Sequence, residues 1–412
     1  MVKPSLSEIS RYALSHPSAI REIMTIVTDY KLHPEKYPKP LIYLGGGWPQ
    51  DPPPPILLEH YKRLGENREH FIESCRYGTT RGQPDFIESL VDYEKTVFDR
   101  EIEDEEVVVG LGSSELTAAV FLATLDPGSE VVVTRPYYLN YLRQLEIELQ
   151  RNVRVKYWNM IDEEGVFSPN LDELQNLVTH NTRLVILAIP GNPDSQILDD
   201  DVYEGVVDLA EEKGFWVLTD LAYRAFIYTD IPSYMRRKRR ENELLMVSLS
   251  KELRIPGWRA SYLVADTSVC KAVETIEQAR TLCPSRLVQE ILASIFSDKD
   301  NLKILREFNE RSKVKYAQVA SKTYQSLLQN LPETLALKPK GSFYVFFYIG
   351  KYMQSSKEFC DKLLKTEQVA LAPGKDFGME GWVRLSFAPV VEEPWLIDEA
   401  IRRMKEFIET IR

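Results

Sequence analysis

The sequence predicts an α/β fold in two parts, a large domain on a mostly parallel central sheet and a smaller α+β domain. Three observations lead there. From residue 107 to about 265, short runs rich in Val, Ile, Leu and aromatics alternate with helical patterns, the mark of a parallel sheet covered by helices on both faces. From residue 299 onward a long polar helical stretch gives way to separate strand-like runs and a closing amphipathic helix. The chain has 412 residues, of which 44% are hydrophobic and 27% charged, the composition of a globular protein large enough for two cores.

Taken in order, residues 18 to 30 place Ile20, Ile23, Met24 and Val27 on one helical face, with Ser18 as a cap. Residues 41–44 form a short strand followed by Gly45, Gly46 and Gly47, a backbone able to approach a ligand closely. Pro52 to Pro55 read as a stiff connector to the main body. A polar loop at 76–82 precedes a helix over 84–98. The strands of the large domain fall at 107–111, 130–134, 153–158, 183–189, 215–219, 244–249 and 262–265, with helices such as 115–125 and 201–213 between them. Residues 299–330 form a long helix, and the tail adds strands at 343–348, 369–372 and 382–387 before a last helix carrying Leu396, Ala400, Ile401, Met404, Phe407, Ile408 and Ile411. The expected division is 1–48 joining the small domain, 49–298 as the large domain and 299–412 as the small one.

A formal charge of −11 gives nucleic acid or an anionic membrane no overall electrostatic attraction. The basic run at 236–240 reads instead as a solvated face. The four cysteines and five histidines have no ligand spacing, which argues against a disulfide frame or a metal centre. With no signal-like apolar core near Met1 and no run of membrane length, the expected location is the cytoplasm.

The chemistry centres on residues 248–259. A strand-like run ends in Ser248, Leu249, Ser250 and Lys251, then a Pro256-Gly257 turn and Arg259. A lysine directly after a buried strand is costly unless paired, covalently bonded or uncharged, so Lys251 is a candidate nucleophilic amine, with Ser248 and Arg259 as anion binders. The same stretch also fits a strand, a turn and a surface Lys/Arg pair. Partners lie elsewhere in the chain. Gly112, Ser113 and Ser114 follow a strand and open a helix, where amides and a hydroxyl hold phosphate. Asn192 and Pro193 follow the next-but-two strand. Asp220 and Tyr223 follow the strand after that, and a carboxylate there suits a protonated pyridine nitrogen.

Ser-x-Ser-Lys followed by Pro-Gly-x-Arg, and preceded by Asn-Pro and Asp-x-x-Tyr, resembles the class I/II aminotransferases, pyridoxal-phosphate enzymes of fold type I. The likeness runs from about residue 40 to 390. It implies that Lys251 holds pyridoxal 5'-phosphate as an internal aldimine (a Schiff base), that Asp220 partners the pyridine nitrogen, and that Asn192 and Tyr223 bond its phenolate oxygen. It further implies a phosphate cup of Gly112, Ser113, Ser114, Ser248 and Arg259, stacking by Tyr138, and a grip by Arg384 on the substrate α-carboxylate beside Gly46 and Asn192. Tyr77 matches the tyrosine that reaches the phosphate of a neighbouring subunit, which implies a homodimer with shared active sites. The chain departs from the pattern at Asp194-Ser195-Gln196, where Pro-Thr-Gly is usual, and at Ser261, where glycine is frequent.

The implied reaction moves an amino group between an L-amino acid and a 2-oxo acid by way of aldimine and ketimine. Two rivals stand beside it: β-elimination or ring formation on the same fold, and a non-enzymatic cofactor-binding regulatory module. For the donor, Trp48, Tyr138 and Tyr141 suit aromatic or aliphatic side chains, and Arg81 or Arg286 a second carboxylate.

Overall fold

In the computed structural model, which describes residues 4–17 and 19–411, the sheets follow from the strand pattern; the expected cap Ser18 lies outside the described residues. Strand β1 (Ile42–Tyr43) stands apart from a seven-stranded sheet made of β2 (Val107–Gly110), β3 (Glu130–Arg135), β4 (Arg154–Asn159), β5 (Thr182–Ala188), β6 (Trp216–Asp220), β7 (Glu243–Ser248) and β8 (Ser261–Val264). The order across the sheet is β2-β8-β7-β6-β5-β3-β4. Alternate residues of one strand face opposite layers. Val132, Leu245 and Val247 join a core with Phe86, Leu90, Tyr203 and Ile291, while Val131, Val133, Leu244 and Met246 join another with Leu116, Phe121, Val269 and Val273. Both faces are therefore dry, as the near-continuous apolar runs require.

Strand direction places the chemistry. All neighbouring pairs are parallel except those of β8, which runs antiparallel to both β2 and β7. The carboxyl ends of the other strands thus share one edge with the start of β8. Residues after β2, β3, β5, β6 and β7 meet at that edge with Arg259, which lies just before β8.

The remaining strands are β9 (Leu335–Ala336), β10 (Tyr344–Tyr348), β11 (Val369–Ala370), β12 (Ala372–Pro373) and β13 (Trp382–Ser386). An antiparallel sheet runs β12-β13-β10-β9, and β1 pairs in parallel with β11, which sets residues 42–43 against the C-terminal third. Helices Lys299–Asn330, Ser356–Glu367 and Trp395–Ile411 cover this part. Its apolar core extends to Ala222, Tyr223 and Phe226 beyond β6, which joins the small sheet to the edge where the strands end.

Three expectations change. Pro52–Pro55 is not wholly a connector: Pro54 caps and Pro55 begins a helix, Pro55–Glu66, because proline's fixed φ and missing N–H suit a first turn. The expected strand over 369–372 splits between β11 and β12, which pair in different sheets. The basic run is less a solvated face than a paired one. Arg237 bonds Glu204 and Glu243 at 2.7 Å each, Arg239 bonds Glu106 at 2.7 Å, and Arg240 bonds Asp208 at 2.7 Å; Glu204 and Asp208 belong to helix Asp200–Lys213, Glu243 to the start of β7 and Glu106 to the turn before β2.

Candidate active site

One pocket, with a volume of about 290 Å³, opens along the shared strand edge. Ser113, Ser114, Tyr138, Asn192, Asp220, Tyr223, Ser248, Lys251, Arg259 and Arg384 all line it, so ten of the residues expected from sequence converge. Gly112 lies one layer back. It adopts φ +99°, and a Cβ there would come 2.1 Å from an Arg259 guanidinium nitrogen; only glycine lets the arginine lie across the start of helix Ser113–Thr124. Gly46 is not part of the wall. Gly47 and Trp48 line it instead, and the carbonyl of Gly45 accepts from Arg384 at 2.8 Å. Tyr77 is 80% exposed and borders a separate surface groove with Cys75, Cys283 and Ser285, away from the pocket of its own chain.

Lys251 sits in the short helical turn Leu249–Glu252 that leaves β7. Burial brings its amine down to about 8, and the positive charges of Arg259 and Arg384 push the same way against the opposing pull of Asp220. The Arg259 Nη1 donates to the Pro256 carbonyl at 3.0 Å, and among the described residues neither this guanidinium nor the Lys251 nitrogen is paired with a carboxylate. The pocket thus holds an amine that gives up its proton more readily than an ordinary lysine, and a guanidinium without a carboxylate partner among the described residues.

Asp220 terminates β6. Burial raises its carboxyl, while the Tyr141 hydroxyl, donating at 2.7 Å to Oδ2, and the Ala222 amide, donating at 3.0 Å to Oδ1, favour the ionised form. Tyr141 is thereby accounted for differently from its reading as a substrate-facing aromatic: its hydroxyl is spent on Asp220. Asn192 is the hub of the far wall. Its amide nitrogen donates to the Tyr223 hydroxyl at 3.1 Å, its Oδ1 accepts from Arg384 at 2.7 Å, and Tyr223 meets the Tyr344 hydroxyl at 2.7 Å.

Arg384 projects from the middle of β13, 1% exposed, between the Tyr344 and Phe377 rings at 4.4 and 4.7 Å. Its two bonds, to Asn192 and Gly45, use two donors of a five-donor fork, and Nε has no partner. A buried guanidinium with a free planar edge is matched to a carboxylate.

The departures from the family pattern are accommodated. Ser195, at φ +60°, ties the turn after Asn192 to the small sheet through the Ser342 hydroxyl and the Tyr344 carbonyl, while Asp194 caps Gln196 within the turn. Ser261 donates to the Gly110 carbonyl at 3.2 Å, so its hydroxyl stitches β8 to β2.

Sequence reasoning missed Tyr344 and Asn140 in the wall and gave Ser250 no role there. Tyr344 lay inside a strand read for its apolar content, and nothing local signals that its hydroxyl meets Tyr223. Arg81 and Arg286, expected to meet a second carboxylate, are engaged elsewhere. Arg81 bonds the carbonyls of Val107 and Asp104, and Arg286 bonds Glu73 and Glu290 at 2.7 Å each. The lysine, aspartate, phenol and two guanidiniums leave room for an anionic ring compound at one end and an amino acid carboxylate at the other.

Comparison with known proteins adds the following. The sequence model described as "Aminotransferase class I and II" matches residues 40–403. The chain is 31% identical over 377 residues to the aspartate aminotransferase of Pyrococcus horikoshii, covering 90% of this chain and 91% of that one. Among solved structures, the aspartate aminotransferase of Thermotoga maritima superposes with a TM-score of 0.82 at 26% identity, covering 98% of this chain and 100% of that one. The aromatic aminotransferase of Pyrococcus horikoshii gives 0.79 at 26% identity, covering 90% and 96%.

Proposed function

The chain belongs to the aminotransferases of class I and II and is a transaminase, and on that premise we propose how its own residues carry the reaction and hold pyridoxal 5'-phosphate. The observation that carries the proposal is the single pocket lined by Lys251, Asp220, Arg259 and Arg384. The residues fit the cofactor. Arg259, without a carboxylate partner among the described residues, lines the pocket with Ser113, Ser114 and Ser248, which together would hold the phosphate. Gly112 keeps that end open.

When bound, the cofactor supplies an aldehyde that links to an amine and a ring that takes up electrons from the substrate α-carbon. Lys251 is the linking amine. With an amino acid in its place on the cofactor, the Lys251 nitrogen, its basicity lowered by burial, would be the base that takes the substrate α-proton and gives it back. Asp220, buried and held by Tyr141, would keep a proton on the ring nitrogen, Asn192 and Tyr223 would hold the ring hydroxyl, Tyr138 would pack beside the ring, and Arg384 would bind the substrate carboxylate.

The donor is an L-amino acid and the acceptor a 2-oxo acid. Tyr77 lines the surface groove, and Phe71, Ile72 and Leu282, close in sequence to its walls, are also large exposed apolar side chains, which supports a homodimer in which Tyr77 reaches the partner's cofactor phosphate. The cytoplasm is the proposed location. Among the described residues no helix is long and apolar enough to cross a membrane. Residues 1–48 are proposed to join the small domain (299–412), with 49–298 forming the large one, in keeping with the β1–β11 pairing.

The test mixes the purified protein with pyridoxal phosphate and screens amino acid donors with 2-oxoglutarate and pyruvate. A visible band that bleaches with donor alone and returns with the oxo acid is expected. Ammonia release or a cyclic product with no acceptor present, or no band at all, would refute it.

A further inference from the structure

Behind the pocket lies a second cluster of charges that the reaction described above does not use. Two site residues are each followed in sequence by a member of it: Tyr223 by Arg224, and Lys251 by Glu252. In both cases the first residue lines the pocket while the second turns into the protein, where Glu252 is 0% and Arg224 5% exposed. There Arg224 grips Glu252 with two bonds, Nε to Oε2 at 3.0 Å and Nη2 to Oε1 at 3.2 Å. Its Nη1 donates to Glu94 at 2.6 Å, its Nη2 donates to the Tyr262 hydroxyl at 3.0 Å, and the guanidinium lies 3.6 Å from the centre of the Phe98 ring. Tyr93 donates to Glu252 at 2.8 Å, and Tyr262 donates to Glu94. Arg100, bonded to the carbonyls of Met235 and Tyr234, is close enough to feel the charge of Glu94, so two carboxylates are balanced by two guanidiniums.

Stability does not account for this arrangement. Desolvating buried ions is costly enough that packed apolar side chains of the same volume are commonly as stabilising or more so. A bidentate Arg–carboxylate pair offers what apolar packing lacks, a fixed distance and angle between the backbones that carry it. Here those backbones are the two segments just past the ends of β6 and β7, where ladder bonding has stopped and Tyr223 and Lys251 are displayed.

We propose that Glu94, Arg224 and Glu252 are positioning residues: the clamp behind the pocket sets where the Lys251 amine stands relative to the Tyr223 hydroxyl, and so the geometry in which the lysine holds its cofactor. This rests on the assignment of Lys251 as the linking amine. The clamp touches neither substrate nor cofactor and acts only through the residue next to each of its ends.

The experiment compares the holoenzyme with an apolar double variant, Arg224→Met with Glu252→Leu, and with the near-isosteric Glu252→Gln. Each is read by thermal unfolding, by the pH midpoint of the visible cofactor band, and by kcat and KM. The double variant is expected to fold but to melt below the parent, since Glu94 loses its Arg224 partner, and to move the band's midpoint by one pH unit or more and lower kcat at least tenfold, with KM within twofold. Glu252→Gln, which keeps one acceptor oxygen, is expected to shift both readouts in the same direction by less, and it decides the matter alone if the double variant does not fold. Variants with the parent's midpoint and kcat within twofold overturn the inference while leaving the assignment of Lys251 intact. A parent with no visible band overturns that assignment, and this inference with it.

Discussion

Replacing Tyr141 by phenylalanine separates two roles that one aromatic ring beside an active site might play. In the structure the Tyr141 hydroxyl donates to Asp220 Oδ2 at 2.7 Å, and among the described residues the other donor to that carboxyl is the Ala222 amide at 3.0 Å. Burial is the largest influence on Asp220 and raises it; Tyr141 is first among those that lower it. A hydrogen bond to a charged group contributes about 1.5–3 kcal/mol. At about 1.4 kcal/mol per pH unit, its loss lifts the Asp220 carboxyl by roughly one to two units. In the proposed assignment the ionised form holds the ring nitrogen, so the acid limb of the kcat profile is expected to move to higher pH by that amount, with the loss of kcat greatest on the acid side. The KM for the amino acid donor is expected to stay within twofold, because the hydroxyl is turned away from the substrate. Steady-state kinetics across the pH range, with thermal unfolding as a control, measures both. A tenfold rise in KM with kcat and the acid limb unchanged would mean that Tyr141 binds substrate, and the reasoning would fail.

Arg384→Lys keeps the charge but removes the planar fork, so the KM for both amino acid and oxo acid is expected to rise about thirtyfold, the equivalent of about 2 kcal/mol, with the visible band retained; loss of the band at unchanged KM would contradict the substrate role. Lys251→Met should abolish transamination yet stabilise the cofactor-free protein by on the order of 2–3 kcal/mol at pH 7. The sign follows from the folded amine lying at about 8 against an ordinary 10.5: between those values the unfolded chain binds more protons, so stability rises with pH across that window and carries the full penalty below it. Denaturant melts of cofactor-free parent and variant should therefore converge near pH 10.5, and parallel curves would refute the burial argument. Asp51 accepts from Arg254 at 3.1 Å, Lys315 at 3.0 Å and Tyr316 at 2.7 Å, and Asp51→Ala should cost about 3–5 kcal/mol by leaving Arg254 buried without its carboxylate; a melting temperature unchanged from the parent would count against it.

The chain's sequence was most legible where a local rule operates. Alternating apolar runs located the seven strands of the main sheet to within a residue or two, because strands dry on both faces carry an uninterrupted pattern. Lys251, Asp220, Asn192 and Arg259 stood out because each follows or precedes such a strand, and parallel direction does the rest. The antiparallel course of β8, which brings Arg259 to the correct edge, has no local signature. Contacts made across long sequence separations were equally hidden. Tyr344 meets Tyr223 from 121 positions away, and Glu94 meets Arg224 from 130. Arg81 and Arg286 misled for the same reason, since a sequence does not disclose that a guanidinium is already engaged by a carbonyl or a neighbouring glutamate.

The central claim is that the amine of residue 251 holds the cofactor. The measurement closest to it is borohydride reduction of the protein loaded with pyridoxal phosphate, followed by peptide mass mapping. The account predicts a pyridoxyl-phosphate adduct on the peptide containing Lys251 and on no other, lost in Lys251→Met. An adduct on a different lysine in the parent protein, or no adduct after a visible band has been recorded, would contradict it.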